Sequence, residues 1–178
     1  MTTSMPDPRS TRELDEALRA LLPSLRRFAR WLSRDGDAAD DLVQATLERA
    51  LVHWRQRRDG DALRPWLFSI LYRQFLDGKR RSGRMASLLS RLAPEPEPAP
   101  SAERETIARS SLDALRHLTV EQRSLLLWVS VEGLSYREVA DILQVPIGTV
   151  MSRLSRARDA LRRITDGEMP APMLRVLK

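Results

Sequence analysis

The stretch from Gly133 to Leu161, GLSYREVADILQVPIGTVMSRLSRARDAL, constrains the fold of this chain more than any other. Ser135 and Glu138 stand at the spacing of a capping box, which predicts a short helix over Tyr136–Leu143. The turn QVPIG interrupts that helix. A longer one follows, with Val150, Leu154, Ala157, Leu161 and Ile164 on one apolar stripe. Helices joined by so short a turn must cross closely, and Ala140 is small where they would cross. Val139, Leu143, Val145, Val150 and Leu154 can form a shared core. A short helix, a tight turn and a longer helix make a helix-turn-helix.

In that plan the second helix lies in the major groove of duplex DNA. With its apolar stripe turned inward, Thr149, Ser152, Arg153, Arg156 and Arg163 fall on the far side. These residue types donate to phosphates and base edges. Pro146 and Gly148 shape the leading end, whose unpaired amides can hold a phosphate. Arginine on a surface helix is also an ordinary solvated face. The capped first helix, the turn and the small crossing residue set this segment apart from that case.

Upstream, Ile107, Leu112, Leu115 and Leu118 suggest a further helix. Thr119 and Gln122 make a second capping box, predicting a helix over Val120–Val131 that Gly133 ends. Before these lies LAPEPEPAP, with prolines at 94, 96, 98 and 100. Alternating proline favours an extended, semi-rigid tether. The reading is therefore two domains: 11–84, a linker over 85–110, a second domain over 111–165, and a tail over 166–178.

The first domain also reads as helical. Leu14, Leu18, Leu21, Leu25, Phe28 and Leu32 recur at spacings of three and four, with Pro23 inside the pattern as a restart or a kink. A second helix is expected from an N-cap at Asp37, with Leu42, Leu47, Ala50, Leu51 and Trp54 on its apolar side. A third, from about Arg64 to Arg81, carries Pro65 in its first turn and Trp66, Ile70, Leu71 and Phe75 on a broad apolar face, with Gly83 closing it. Met85–Leu92 is left as a separate helical turn. Trp66 is in phase with Ile70, which favours a core role over a stacking one. No alternating strand pattern occurs, so the fold class is all-α: two small helical domains joined by a Pro-rich linker, the second with the helix-turn-helix.

The chemistry available is limited. There is no cysteine, which excludes disulfides, thiolate metal sites and cysteine nucleophiles. The two histidines, His53 and His117, lack metal-ligand spacing. No Gly-rich phosphate loop or nucleophile–base pair is recognisable, so neither catalysis, nor a cofactor, nor a small-molecule substrate is expected. The N-terminus has no apolar run after its charges, and no stretch approaches the roughly 18 apolar residues of a membrane span. A cytoplasmic protein without membrane insertion is expected. Lys+Arg exceed Asp+Glu by 30 to 24, and lysine occurs only at Lys79 and Lys178. An arginine bias suits nucleic acid and equally suits a GC-rich genome.

Three segments resemble one family in family order. Gly133–Leu161 looks like region four of the extracytoplasmic-function (ECF) sigma factors of the sigma-70 family. ADDLVQATLERAL, at 39–51, and RPWLFSILYRQFLDGKRR, at 64–81, resemble its region two. The resemblance covers roughly Leu18–Arg84 and Ser111–Arg163. It implies a transcription initiation factor that guides core RNA polymerase to promoters and helps open them. The polymerase contacts would be its β′ coiled coil and β flap. Asp40, Asp41, Gln44 and Glu48 match the positions that dock on the β′ coiled coil, although acids at a helix start also compensate the helix dipole. Gln56, Arg57, Arg58 and Asp61 match the loop that captures a minus-ten base, and an ordinary polar connection would look similar.

Arg73, Lys79, Arg80, Arg81 and Arg84 form a basic cluster suited to backbone contacts near the minus-ten element. Ser135, Tyr136, Thr149, Met151, Ser152, Arg153 and Arg156 match the minus-35 positions. The resemblance also implies an anti-sigma factor as partner, often a membrane-bound one. Three residues depart from the family pattern. Arg73 stands where Asn is usual. Gln144 replaces a common turn Gly, so the turn need not use a positive φ. Met151 replaces Arg or Lys and offers a base only apolar contact, such as to a thymine methyl. Two other readings stay open: a stand-alone helix-turn-helix regulator, and a helical interaction protein.

Overall fold

The computed structural model gives the backbone of residues 8–54, 62–89 and 114–166 and the side chains of 15–54, 62–84 and 114–166. Every element among these residues is helical. The chain divides into two units, Met1–Leu89 and Ser90–Lys178.

In the first unit, α1 runs Pro8–Ser33, α2 Gly36–His53 and α3 Leu63–Leu89. Leu18, Leu25, Phe28, Ala29 and Leu32 are buried at helical spacing, so α1 packs one face inward. Pro23 neither stops nor restarts it. The proline is exposed, and buried residues on both sides hold the helix through the lost hydrogen bond. Phe28 meets Phe68 of α3 edge to face, with ring centroids 5.3 Å apart.

Two boundaries and one face differ from the sequence reading. The N-cap of α2 is Asp35, not Asp37; its carboxylate accepts from the Ala38 amide at 2.8 Å. The helix buries Ala39, Val43, Thr46 and Ala50. Leu42 and Leu47 only flank this face, and Leu51 is 58% exposed. Small and β-branched side chains let α2 sit close to its neighbours, and the larger leucines are left at the margin. Gln74 of α3 donates to the Ala45 carbonyl at 2.9 Å, tying the two helices together.

Gly83 does not close α3. The helix runs through it to Leu89, taking in part of the stretch read as a separate turn and as linker. Gly83 has no positive φ, so it lacks the left-handed conformation with which glycine ends a helix. The prolines of the linker lie outside the described residues.

The second unit has a helical turn at 114–117, then α4 over Val120–Leu126, α5 over Tyr136–Leu143 and α6 over Ile147–Thr165. Both capping boxes form as expected, at Thr119–Gln122 and Ser135–Glu138. Beyond Leu126 the chain widens into a π-turn, Leu127–Val131, instead of continuing as α-helix. Gly133, at φ +64°, then ends it, and the Leu134 amide reaches the Trp128 carbonyl at 2.8 Å. Arg123 is buried and donates to the Leu115 and Leu118 carbonyls at 3.0 and 3.1 Å, closing the turn before α4. Trp128, Leu125, Val139, Ile142, Val150 and Leu154 fill the core, with Ala140 buried at the crossing.

Candidate nucleic-acid interface

The turn between α5 and α6 sets the aim of α6. Gln144 takes the left-handed conformation, φ 56° and ψ 47°, so this turn does use a positive φ. A non-glycine residue resists that region. Here the Gln144 side chain donates to the Asp141 carbonyl at 2.6 Å, and the backbone amides of Gln144 and Val145 both point at the Ala140 carbonyl. Pro146 follows as N-cap, and its carbonyl accepts from the Thr149 amide at 2.9 Å.

Helix α6 buries Val150, Leu154 and Ala157, so its outward face is set by its core. Met151, Ser152 and Arg156 are exposed and Thr149 is half-buried. Arg153 behaves differently from its neighbours. It lies beside the buried stripe, and its guanidinium pairs with the Glu121 carboxylate of α4. That is a correction to the face on which Arg153 was expected. At 3.6 residues per turn it is only one step from Val150, and Glu121 holds it toward α4. Ser135 spends its hydroxyl on the cap: it accepts from the Glu138 amide at 3.2 Å and donates to the Glu138 carboxylate at 2.8 Å. Tyr136 is half-buried.

In the first unit, Asp41, Gln44 and Glu48 lie opposite the buried face of α2. Gln44 donates to Glu48 at 3.0 Å. Asp40 is turned aside, 3.6 Å from Arg26 of α1. On α3, Arg73, Asp77, Arg80 and Arg84 recur at helical spacing and are exposed, as are Lys79 and Arg81 outside that row. Asp77 lies 3.7 Å from Arg80 and tempers the row's charge. Gln56, Arg57, Arg58 and Asp61 lie outside the described residues. The helices that bracket their segment meet through Trp54 and Trp66, ring centroids 6.2 Å apart. Trp66 is therefore half-buried against another tryptophan, not deep core. Among the described residues no group of His, Asp or Glu could hold a metal ion. No described helix is long and apolar enough to cross a membrane.

Two family models match: the Sigma2 domain of PhyR over residues 18–72 and Sigma-70 region 4 over residues 110–161. The ECF RNA polymerase sigma factor EcfG of Rhodopseudomonas palustris is 38% identical over 156 residues, covering 85% of this chain and 84% of its own. The ECF sigma factor SigC of Mycobacterium tuberculosis is 33% identical over 154 residues, covering 84% of this chain and 82% of its own. The chain belongs to the ECF family of RNA polymerase sigma factors. This sigma factor also matches the sigma factor RpoE, solved with the anti-sigma factor NepR from Bartonella quintana. The TM-score is 0.72 and the identity 32%, over 88% of this chain and 99% of that one. CnrH, solved with the cytosolic domain of CnrY, shares the fold at a TM-score of 0.65 and 22% identity, over 89% of this chain and 91% of that one.

The family settles the choice among the sequence readings. A stand-alone regulator or a helical interaction protein would leave the first unit's likeness to sigma region two unexplained, and the sigma relatives match across both units. As a sigma factor the chain directs core RNA polymerase to specific promoters and takes part in opening them. Two features escaped sequence reading. The Glu121–Arg153 pair joins residues far apart in the chain, and Glu121 by itself reads as an ordinary first-turn acid. Ile147, at the start of α6, reads as the end of a turn yet stands half-exposed.

Proposed function

We propose that each unit contacts both core polymerase and promoter DNA, the first through the oppositely charged faces of α2 and α3. Asp41, Gln44 and Glu48 of α2, with Asp40 beside them, dock on the β′ coiled coil of core polymerase. Arg73, Arg80 and Arg84, with Lys79 and Arg81, hold the backbone near the minus-ten element, and the segment with Gln56, Arg57, Arg58 and Asp61 captures a base there. Helix α6 enters the major groove at minus-35 through Thr149, Met151, Ser152 and Arg156, while Ser135 and Tyr136 approach the backbone. Arg153 orients the helix through Glu121. The second unit also meets the β flap. The chemistry of transcription belongs to the polymerase, and the sigma factor works without a cofactor of its own in the cytoplasm.

The observation that carries this reading is the outward face of α6, fixed by the capped helices α4 and α5 and a hydrogen-bonded left-handed turn. Such a face is preorganised, so little ordering cost attends DNA binding. An anti-sigma factor is a further partner, supported by the relative solved with the anti-sigma factor NepR. The test adds the purified chain to sigma-free core polymerase and a promoter library. Transcripts with defined start sites are expected. Stable sequence-specific binding by the chain alone, with no directed transcripts, would overturn the reading.

A further inference from the structure

The exposed surface of α6 is not uniform. Its first turns carry two large apolar side chains, Ile147 and Met151, that are 50% and 53% exposed. They lie one helical turn apart and so form a single apolar flank. The described second unit has just one other exposed large hydrophobic residue, Val131. The opposite flank is polar, with Thr149 and Arg156.

The nearest arginine is drawn off this end of the helix. Arg153 pairs with Glu121, and the Ser152 hydroxyl donates to the Thr149 carbonyl at 3.0 Å. The leading turns thus offer the groove no cation before Arg156. In the major groove, the one apolar group a base presents is the C5-methyl of thymine. We infer that Ile147 and Met151 are specificity-determining residues that read thymine methyl groups in the minus-35 element, leaving Arg156 as the cationic contact. This rests on the reading of α6 as the minus-35 helix.

The test uses the reconstituted holoenzyme. A library randomised over the minus-35 element is selected for initiation, and each thymine of the selected element is then replaced by uracil, which removes only the methyl. Initiation by the natural sequence should fall about fourfold per contacted methyl. The Ile147→Ala, Met151→Ala double variant should start lower and lose nothing further on uracil. Both side chains are half-exposed, and the uracil comparison on the natural protein does not depend on how the variant folds. A selected element without an A·T pair, or initiation indifferent to uracil, would overturn the inference. So would a double variant equally weakened on thymine and uracil templates that keeps the natural protein's uracil penalty, since the pair would then meet protein and not base. If no library member is initiated, the reading of α6 fails and the inference with it.

Discussion

Helices α2 and α6 each turn one face to a core and the other outward, yet they hold those faces by different means. In α2 the outward row of Asp41, Gln44 and Glu48 follows from periodicity alone, opposite Ala39, Val43, Thr46 and Ala50. In α6 the buried stripe does not act alone: the left-handed Gln144, the Ser135 cap and the Glu121 contact help aim the outward face. A face set by periodicity survives most single changes. A face set by neighbours can be rotated by altering a residue that touches neither DNA nor polymerase.

The largest expected effect comes from the core that aims α6. Leu154 is 1% exposed. Leu154→Ala should destabilise the second unit by about 2–5 kcal/mol through lost burial and a residual cavity. Hydrogen exchange should show α6 losing protection, with minus-35-dependent initiation falling alongside. Retained protection would mean that the face does not rest on this core.

Next come the faces themselves. Asp41→Arg with Glu48→Arg should weaken core polymerase binding roughly tenfold or more by setting like charges against the docking surface. Binding titrations would check this, and the minus-35 preference should not change. Arg156→Ala should do the reverse: unchanged polymerase affinity, with initiation reduced about tenfold, as for loss of one good base contact. If Arg153→Ala were as damaging as Arg156→Ala and altered the same base preference, Arg153 would be a reader after all.

A smaller effect separates two glycines of similar appearance in sequence. A Cβ would meet nothing within 4 Å at either Gly83 or Gly133, so only the backbone differs. Gly133→Ala should destabilise by about 1–2 kcal/mol, because φ is +64° there. Gly83→Ala should stabilise α3 by about 0.5–1 kcal/mol, since that helix runs straight through. Thermal unfolding of the two variants should shift in opposite directions.

These glycines also show which parts of the molecule are legible in a sequence. Ser135–Glu138 and Thr119–Gln122 are local devices, with cap and acceptor three residues apart, and both form as written. Helix ends marked by glycine are ambiguous, because composition does not say whether φ turns positive. The buried face of α2 was hidden for another reason. Of the residues placed on its apolar side only Ala50 is buried; the leucines dominate a hydrophobic pattern, but a close helix contact selects Ala39, Val43 and Thr46 beside it. Gln144 departs from the expected turn chemistry because a side-chain hydrogen bond stands in for the freedom of glycine. The segment with Gln56, Arg57, Arg58 and Asp61 lies outside the described residues, and its role rests on resemblance.

The finest test of the comparison is Glu121→Gln. The Glu121 and Arg153 side chains are 45% and 39% exposed, so the pair contributes only about 0.2–1 kcal/mol to stability. Unfolding should therefore scarcely move. The effect should appear in specificity. Without its carboxylate partner Arg153 can swing from α4 toward the groove and add a cation to the leading turns of α6. Selection from a randomised minus-35 library should then enrich guanine, because arginine matches its O6 and N7 acceptors. The salt dependence of initiation should also steepen, since a freed arginine releases additional counterions on binding phosphate. If the library preference and the salt dependence both stayed as in the natural protein, the contact with Glu121 would be an incidental surface pair, and α6 would owe its face to periodicity as α2 does.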